Sequence, residues 1–363
     1  MRILLVTPDY PPPPGGIQTL TRGLEVGLDR CGHSVAVVES VPKLFAQTYL
    51  STRPSLSLTD LGRLKHLLHY PYLNHCYRRV ADRIETFDPD VVHVLHVDNW
   101  PGLLAARRAA VPTVVTAHGL ELREQRSTRH AIELATSVHA VSEFTADLVA
   151  DVTNRSCETI AVIPPGIDVE TYRKTTQARV SADGPVVTIA RMVSRKNLRT
   201  LLEGWREVDQ TIRGDCSLIV VGDGPQRDSL ESEFSGDQVT FTGWISETEK
   251  RSLLDRAALF TLVPRRSGFD VEGFGIVFIE AQAAGVPVVG SQTGGVPEAV
   301  GEGGLLVEDE SDSGEVADAI EILLSDSAVR QDVLESIEAR IGQFDLEPIA
   351  QKHLMNYSSL VES

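Results

Sequence analysis

The chain has 363 residues, 42% hydrophobic and 23% charged, with ordinary glycine (28) and proline (19) content. Such a length and composition suit two globular domains with ample core, and exclude a disordered, fibrous or disulfide-stapled chain. Thirty-four basic against 51 acidic residues give a net charge of −17, which argues against a nucleic-acid partner.

Ile3–Val6 is a buried-type strand run. A helical segment at Gln18–Cys31 and a strand at Ser34–Glu39 follow, giving the β-loop-α-β opening of a doubly wound α/β sheet. Residues 43–85 form a basic island, with seven Lys/Arg against three Asp/Glu. Strands are expected at Val91–Leu95, Thr113–Ala117, Val138–Val141 and Thr159–Ile163, with a helix near Thr128–Ala135. Pro164-Pro165-Gly166 closes a first domain, taken as 1–168, and the polar stretch 169–184 reads as a linker. A second domain, 185–345, alternates strands at Val186–Ala190, Ser217–Val221, Val239–Phe241, Leu259–Val263 and Val286–Val289 with helices at Leu198–Val208, 226–234, 247–256 and 274–284. An amphipathic helix is expected at 315–324. A last helix, within 346–363, is expected to return across the first domain.

The charge divides along the same boundary. Residues 1–180 carry 19 basic and 19 acidic residues, whereas 181–363 carry 15 and 32. Nine of the ten histidines lie in the first half. Cys31, Cys76, Cys157 and Cys216 are widely spaced, with no C-x-x-C pair, and read as free thiols of a reducing compartment. No signal peptide is visible and no apolar run approaches the length of a membrane span. These features imply a cytoplasmic chain, with peripheral membrane contact left open.

Chemistry-bearing residues cluster where strands end. The loop Thr7–Gln18 carries Gly15-Gly16 just before a helix, a place for close backbone approach to an anion, although G-x-G-x-x-G is missing. Arg191 and Lys196 follow the strand at Val186 and together suit a diphosphate; Arg195 is read as the weaker, solvent-facing member. Glu272 and Glu280 bracket Gly273-Phe274-Gly275-Ile276, a glycine-rich helix start whose acids suit sugar hydroxyls. His118 lies just past a strand end; Gly222-Asp223-Gly224, Gly243-Trp244-Ile245 and Gly294–Glu298 are further turns that suit a nucleotide. Each also has a plainer reading as a turn, a cap or a packed core residue. Strand alternation separates His93 from His96, and no metal-ligand spacing, nucleophile elbow or Walker loop is present.

Together, Pro11–Gln18, His118-Gly119, Pro165–Asp168, Arg191 with Lys196, Gly222–Gly224, Glu272 through Glu280 and Gly294–Glu298 resemble the retaining GT-B glycosyltransferases of family 4. Pro11–Gln18 with Asp270–Gly273 resembles the subgroup of phosphatidylinositol mannoside mannosyltransferases. The resemblance implies two Rossmann-like domains facing across a cleft. It implies transfer of a hexose, mannose or glucose, from a nucleoside diphosphate sugar of the GDP-mannose or UDP-glucose type to a glycolipid, lipid-linked glycan or polysaccharide. It implies Arg191, Lys196 and Gly16 at the diphosphate, Glu280 at the ribose and Glu272 at the hexose. Backbone around Phe274, Gly275 and Ile276 would position sugar and phosphate, Ile245 would lie by the base and His118 near the reacting centre. Asp9 and Tyr10 would face the acceptor. No metal and no further cofactor are implied. The basic island at 43–85 would meet an anionic membrane surface or a lipid-linked glycan; its plainer reading is a basic surface paired with the acidic second domain. A non-catalytic sugar-nucleotide-binding subunit of the same fold is the alternative; a dehydrogenase is disfavoured by the missing dinucleotide fingerprint.

Overall fold

A computed structural model describes all residues except 12–14, 41–61, 120–121, 123–124, 174–181, 237, 269 and 363; in the helices, the side chains of 62–72, 125 and 127 are also outside the description. The chain forms two compact units. One comprises Met1–Gly166 with Leu346–Ser363, the other Ile167–Asp345.

The first unit holds β1 (Arg2–Thr7), β2 (Ser34–Glu39), β3 (Val91–Val94), β4 (Thr113–Ala117), β5 (Ser137–Ala140) and β6 (Ile160–Val162), all parallel, in the order β2-β1-β3-β4-β5-β6. β3, β4 and β5 are buried at every position, as a sheet covered on both faces requires. Helices Gly16–Arg30, Gly62–Phe87, Trp100–Arg108, Gln125–Leu134 and Glu143–Thr153 supply the crossovers. The helix Trp100–Arg108, absent from the sequence reading, carries Pro101 in its first turn, where proline is tolerated. The basic island falls partly on residues 41–61, outside the described residues; its remainder is the helix Gly62–Phe87, on which Arg78, Arg79 and Arg83 are exposed beside Asp82 and Glu85.

The second unit holds β7 (Val186–Ile189), β8 (Leu218–Val221), β9 (Val239–Gly243), β10 (Leu259–Thr261), β11 (Val288–Ser291) and β12 (Gly304–Val307), again all parallel, ordered β12-β11-β10-β7-β8-β9. Its core is built around the fully buried Trp205, Phe234, Phe260 and Phe278. Among the elements outside the sequence reading are β12, a four-residue run behind a glycine cluster, the helix Ser327–Arg340, and the short helices Gln210–Arg213 and Val296–Val300, the latter expected only as a turn. The assigned linker also needs revision. Its first residues, Val169–Tyr172, make a helical turn with Val169 and Tyr172 buried in the second unit.

The helix Leu346–Val361 belongs to the first unit and packs along the helix Gly16–Arg30. The contact is close because Gly27 has no side chain. A Cβ there would stand 2.5 Å from the Leu346 carbonyl oxygen and 3.0 Å from the Ala350 Cβ. Gly27→Val should therefore destabilise the first unit by about 1–3 kcal/mol. A lowered urea midpoint at unchanged slope is the expected result, and an unchanged midpoint would contradict the packing.

Candidate functional site

In an open parallel sheet, ligands gather beyond the carboxyl ends of the strands, at the point where winding reverses. In the second unit that point lies between β7 and β10. The segments leaving these strands are laced together. The Arg265 N–H donates to the Arg195 carbonyl (2.9 Å), and the Asn197 side chain donates to the Val263 carbonyl (3.1 Å).

Glu272 is the centre of the resulting cluster. Its side chain is only 15% exposed, and one carboxylate oxygen accepts from Lys196 Nζ at 2.5 Å and from the Arg195 guanidinium. Arg195 Nε reaches Asp270 at 3.0 Å. Arg195 thus turns inward, contrary to the solvent-facing position expected from sequence: two acids, at 270 and 272, draw its guanidinium in. Arg191 is the exposed member and stands outside this ion cluster. Burial would push the Glu272 carboxyl up, but Lys196 and Arg195 outweigh it and hold the group at about 2.

The backbone of the Glu272 loop is equally constrained. The Glu272 carbonyl accepts from the Gly295 N–H (2.9 Å), so the turn at Gly294–Glu298 braces it. Phe274 is buried against Phe344, and Gly275, at φ +95°, turns the chain into the helix Ile276–Ala283. That left-handed geometry strains any residue with a Cβ. The first N–H groups of the helix, beginning at Ile276, have no intrahelical acceptor and suit an anion.

Glu280, one turn further along, is 4% exposed. Its Oε1 accepts from Lys250 Nζ (2.8 Å) and from the Tyr172 hydroxyl (2.9 Å). Burial would lower the Lys250 ammonium, yet Glu280 and its neighbours hold it above the ordinary lysine range; burial and Glu280 raise the Tyr172 hydroxyl. Neither Lys250 nor Tyr172 stands out in sequence. The one available signal was that Lys250 is among only six lysines and follows the turn Gly243-Trp244-Ile245 closely. In that turn Ile245 is half-buried and Trp244 is 52% exposed. Gly222 has a packing reason of its own: at φ +128°, a Cβ there would stand 1.9 Å from the Ala190 carbonyl oxygen.

In the first unit winding reverses between β1 and β3. The loop after β1 is knitted by side chains. The Thr7 hydroxyl donates to the Asp9 carbonyl (2.7 Å), and Gln18 Nε2 to Asp9 Oδ2 (2.8 Å). The Tyr10 hydroxyl donates to Glu25 and accepts from Arg22 (3.0 Å). Gly15 precedes the helix and Gly16 opens it; a Cβ on Gly16 would meet nothing within 4 Å. His118, just past β4, donates from Nε2 to the Leu95 carbonyl (2.6 Å) and stacks on His96 with ring centroids 5.9 Å apart. That bond places the lone pair of the neutral ring on Nδ1. Sequence spacing showed no metal-type cluster, but the fold brings His93, His139 and His353 of this unit together.

Comparison with known proteins agrees with this architecture. Residues 14–171 match the family described as Glycosyltransferase Family 4, and residues 184–326 the one described as Glycosyl transferases group 1. A GDP-mannose-dependent alpha-(1-6)-phosphatidylinositol monomannoside mannosyltransferase of Mycobacterium tuberculosis is 31% identical, over 90% of this chain and 89% of its own length. A glycogen synthase of the same organism is 26% identical, over 96% and 92%. The crystal structure of Anabaena HepE in complex with UDP-glucose superposes with a TM-score of 0.74 at 21% identity, over 99% of this chain and 100% of that one, and shows the shared GT-B fold class.

The Glu272 ion cluster carries a pH signature. An unfolded carboxyl titrates near 4.5, well above the folded value of about 2, so on acidification the unfolded chain takes up the proton first. The stability contributed by Glu272 is complete above about pH 4.5 and is lost as pH falls toward about 2. Glu272→Gln should start from a lower urea midpoint at neutral pH and lose less of it on acidification. Parallel wild-type and variant curves would contradict the pairing.

Proposed function

The chain belongs to glycosyltransferase family 4, and on that premise we propose that it transfers mannose from GDP-mannose to a hydroxyl of a glycolipid or lipid-linked glycan. The mannosyl donor is supported by the name of its 31%-identical relative. The observation that carries the reading is the buried meeting of Glu272 with Lys196 and Arg195 beside the helix start at Ile276. It puts fixed cations, orphan N–H groups and a sugar-type acceptor carboxylate within one strand-end cluster.

In this reading Lys196 and Arg191 bind the donor diphosphate, joined by the N–H groups at the start of the helix Ile276–Ala283. Arg195 holds the Glu272 carboxylate in place for the 3- and 4-hydroxyls of the hexose. Glu280, fixed by Lys250 and Tyr172 at one oxygen, takes the ribose hydroxyls with the other. Ile245 flanks the base.

The acceptor oxygen forms its bond to the anomeric carbon on the face from which the diphosphate departs. The bond from that carbon to the phosphate oxygen breaks, and a leaving phosphate oxygen takes the hydroxyl proton. Configuration is retained. Charge on the leaving group is met by Lys196, Arg191 and the helix end, so the step needs no divalent ion at the diphosphate. Glu272 is already committed to two cations and serves as a hydrogen-bond acceptor, not a nucleophile.

Lys196→Ala and Glu272→Ala should each lower kcat/KM for transfer at least ~100-fold, a loss of about 2.7 kcal/mol of transition-state stabilisation, with an unchanged circular dichroism spectrum. The assay is a sugar-nucleotide panel scored by release of nucleoside diphosphate, run without Mg²⁺ or Mn²⁺, with product anomers read by NMR. Near-normal variant rates would remove the assignment. Donor binding without turnover, with a matched acceptor present, would favour a non-catalytic sugar-nucleotide-binding subunit.

No helix among the described residues is long and apolar enough to cross a membrane. We place the chain in the cytoplasm, at the inner face of the cell membrane, held by the basic region 43–85. Exposed Arg78 and Arg79 support this. Reversing both to Glu should lower co-sedimentation with anionic liposomes several-fold and restore it little at low salt. An unchanged bound fraction would rule the surface out.

A further inference from the structure

Three adjacent strands of the first unit carry a buried polar layer unused by the transfer chemistry. His93 of β3 lies beside Val114 of β4, and Thr116 of β4 lies beside His139 of β5. Val114 and Thr116 are two residues apart, so His93, Thr116 and His139 share one face of the sheet. The helix Leu346–Val361 meets that face with His353, Asn356 and Tyr357, which lie on one side of it at i, i+3 and i+4. His93, His139 and Tyr357 are fully buried and His353 is 6% exposed. The three imidazole centroids are 5.2, 5.4 and 5.0 Å apart pairwise.

Their bonding within the protein is incomplete. His139 donates from Nε2 to Asn356 Oδ1 (2.9 Å), an oxygen that only accepts, so its lone pair lies on Nδ1. Among the described residues that Nδ1 has no partner, and neither has Nδ1 of His353. His93 is engaged at both nitrogens, by the Tyr357 hydroxyl (2.6 Å) and the Thr116 hydroxyl (2.7 Å). One ligand atom from each histidine lies within 4.8 Å of the other two. A dry interior seldom leaves ring nitrogens bare, because each forfeits its hydration on burial, and here two of the three clustered rings carry one.

We propose that His93, His139 and His353 form a binding site for a divalent transition-metal ion of the zinc type, which fastens the C-terminal helix to β3 and β5. Neutral imidazole nitrogen is the ligand chemistry such ions prefer, and burial lowers the pKa of all three rings, keeping them neutral. Asn356 fixes the ring orientation of His139, the part that outer hydrogen bonds play in built metal sites. The nitrogens draw in from within 4.8 Å to about 3.4 Å, the edge of a tetrahedron with arms of about 2.0–2.1 Å. His93 gives up one hydrogen bond in doing so, and the fourth position is left to a hydroxyl or water.

The test uses the full chain, stripped with chelator, dialysed, loaded with Zn²⁺ or Co²⁺ and gel-filtered. One equivalent of zinc per chain should be retained, and cobalt should give the visible bands of a four-coordinate ion. At ~100 times the dissociation constant, the melting temperature should rise by about 5–10 °C. His139→Gln and His353→Gln should each lose the retained equivalent and the shift, whereas His130→Gln, on an exposed ring elsewhere, should keep both. A stripped wild-type chain that retains no metal and gains no thermal stability overturns the proposal even if the variants fail to fold. So does retention of the equivalent by both cluster variants.

Discussion

Parallel strands buried on both faces can hydrogen-bond only if helices return the chain across the sheet each time, always with the same hand. The placement of the proposed site follows from that constraint. Because every strand runs the same way, all the strand-to-helix loops emerge at one edge. Because the winding starts near the middle, two of those loops diverge and leave a crevice between them. β1 and β3 create one such place, and β7 and β10 another. Lys196 and Glu272 are 76 residues apart, yet share a hydrogen bond because each leaves a central strand at the same edge.

The electrostatics are local and run against the background. All the net negative charge lies in residues 181–363, the half that contains the proposed binding groups for an anionic donor. The cluster resolves this by desolvation: Lys196, Arg195 and Glu272 are each about 15% exposed or less, where their mutual attraction is weakly screened and distant surface acids count for little. The same logic places Lys250 against Glu280. Taking either partner away would leave a buried charge unmatched, so each pair bears on stability as well as on its proposed binding role.

Strand runs and helix starts were legible because they depend on neighbours in sequence. Val186–Ala190 and Leu259–Val263 declare themselves by apolar continuity, and Glu272 and Glu280 by their spacing around a glycine-rich turn. What could not be read was pairing across the fold. Arg195 and Lys196 look alike on paper, and only the inward acids at 270 and 272 separate Arg195 from Arg191. Lys250 and Tyr172 reach Glu280 from 30 and 108 residues away. The three buried histidines defeat motif reading for the same reason: no spacing connects 93, 139 and 353, and it is register plus the last helix that assembles them. The turn at Val169 was misread because polar residues surround two apolar anchors too short to show a period.

The first unit is discontinuous in sequence, with Leu346–Ser363 packed on residues 1–166. A ribosome making this chain releases every strand of the first sheet before the second unit exists, but the helix that covers His93 and His139 only after the second unit is complete. Until then the face with those histidines, and the groove beside Gly27, are exposed to water and to other nascent chains. The second unit, contiguous from Ile167 to Asp345, has no such wait. Of these two units the one begun first is completed second, and its final stability is set by residues that follow the other unit in sequence.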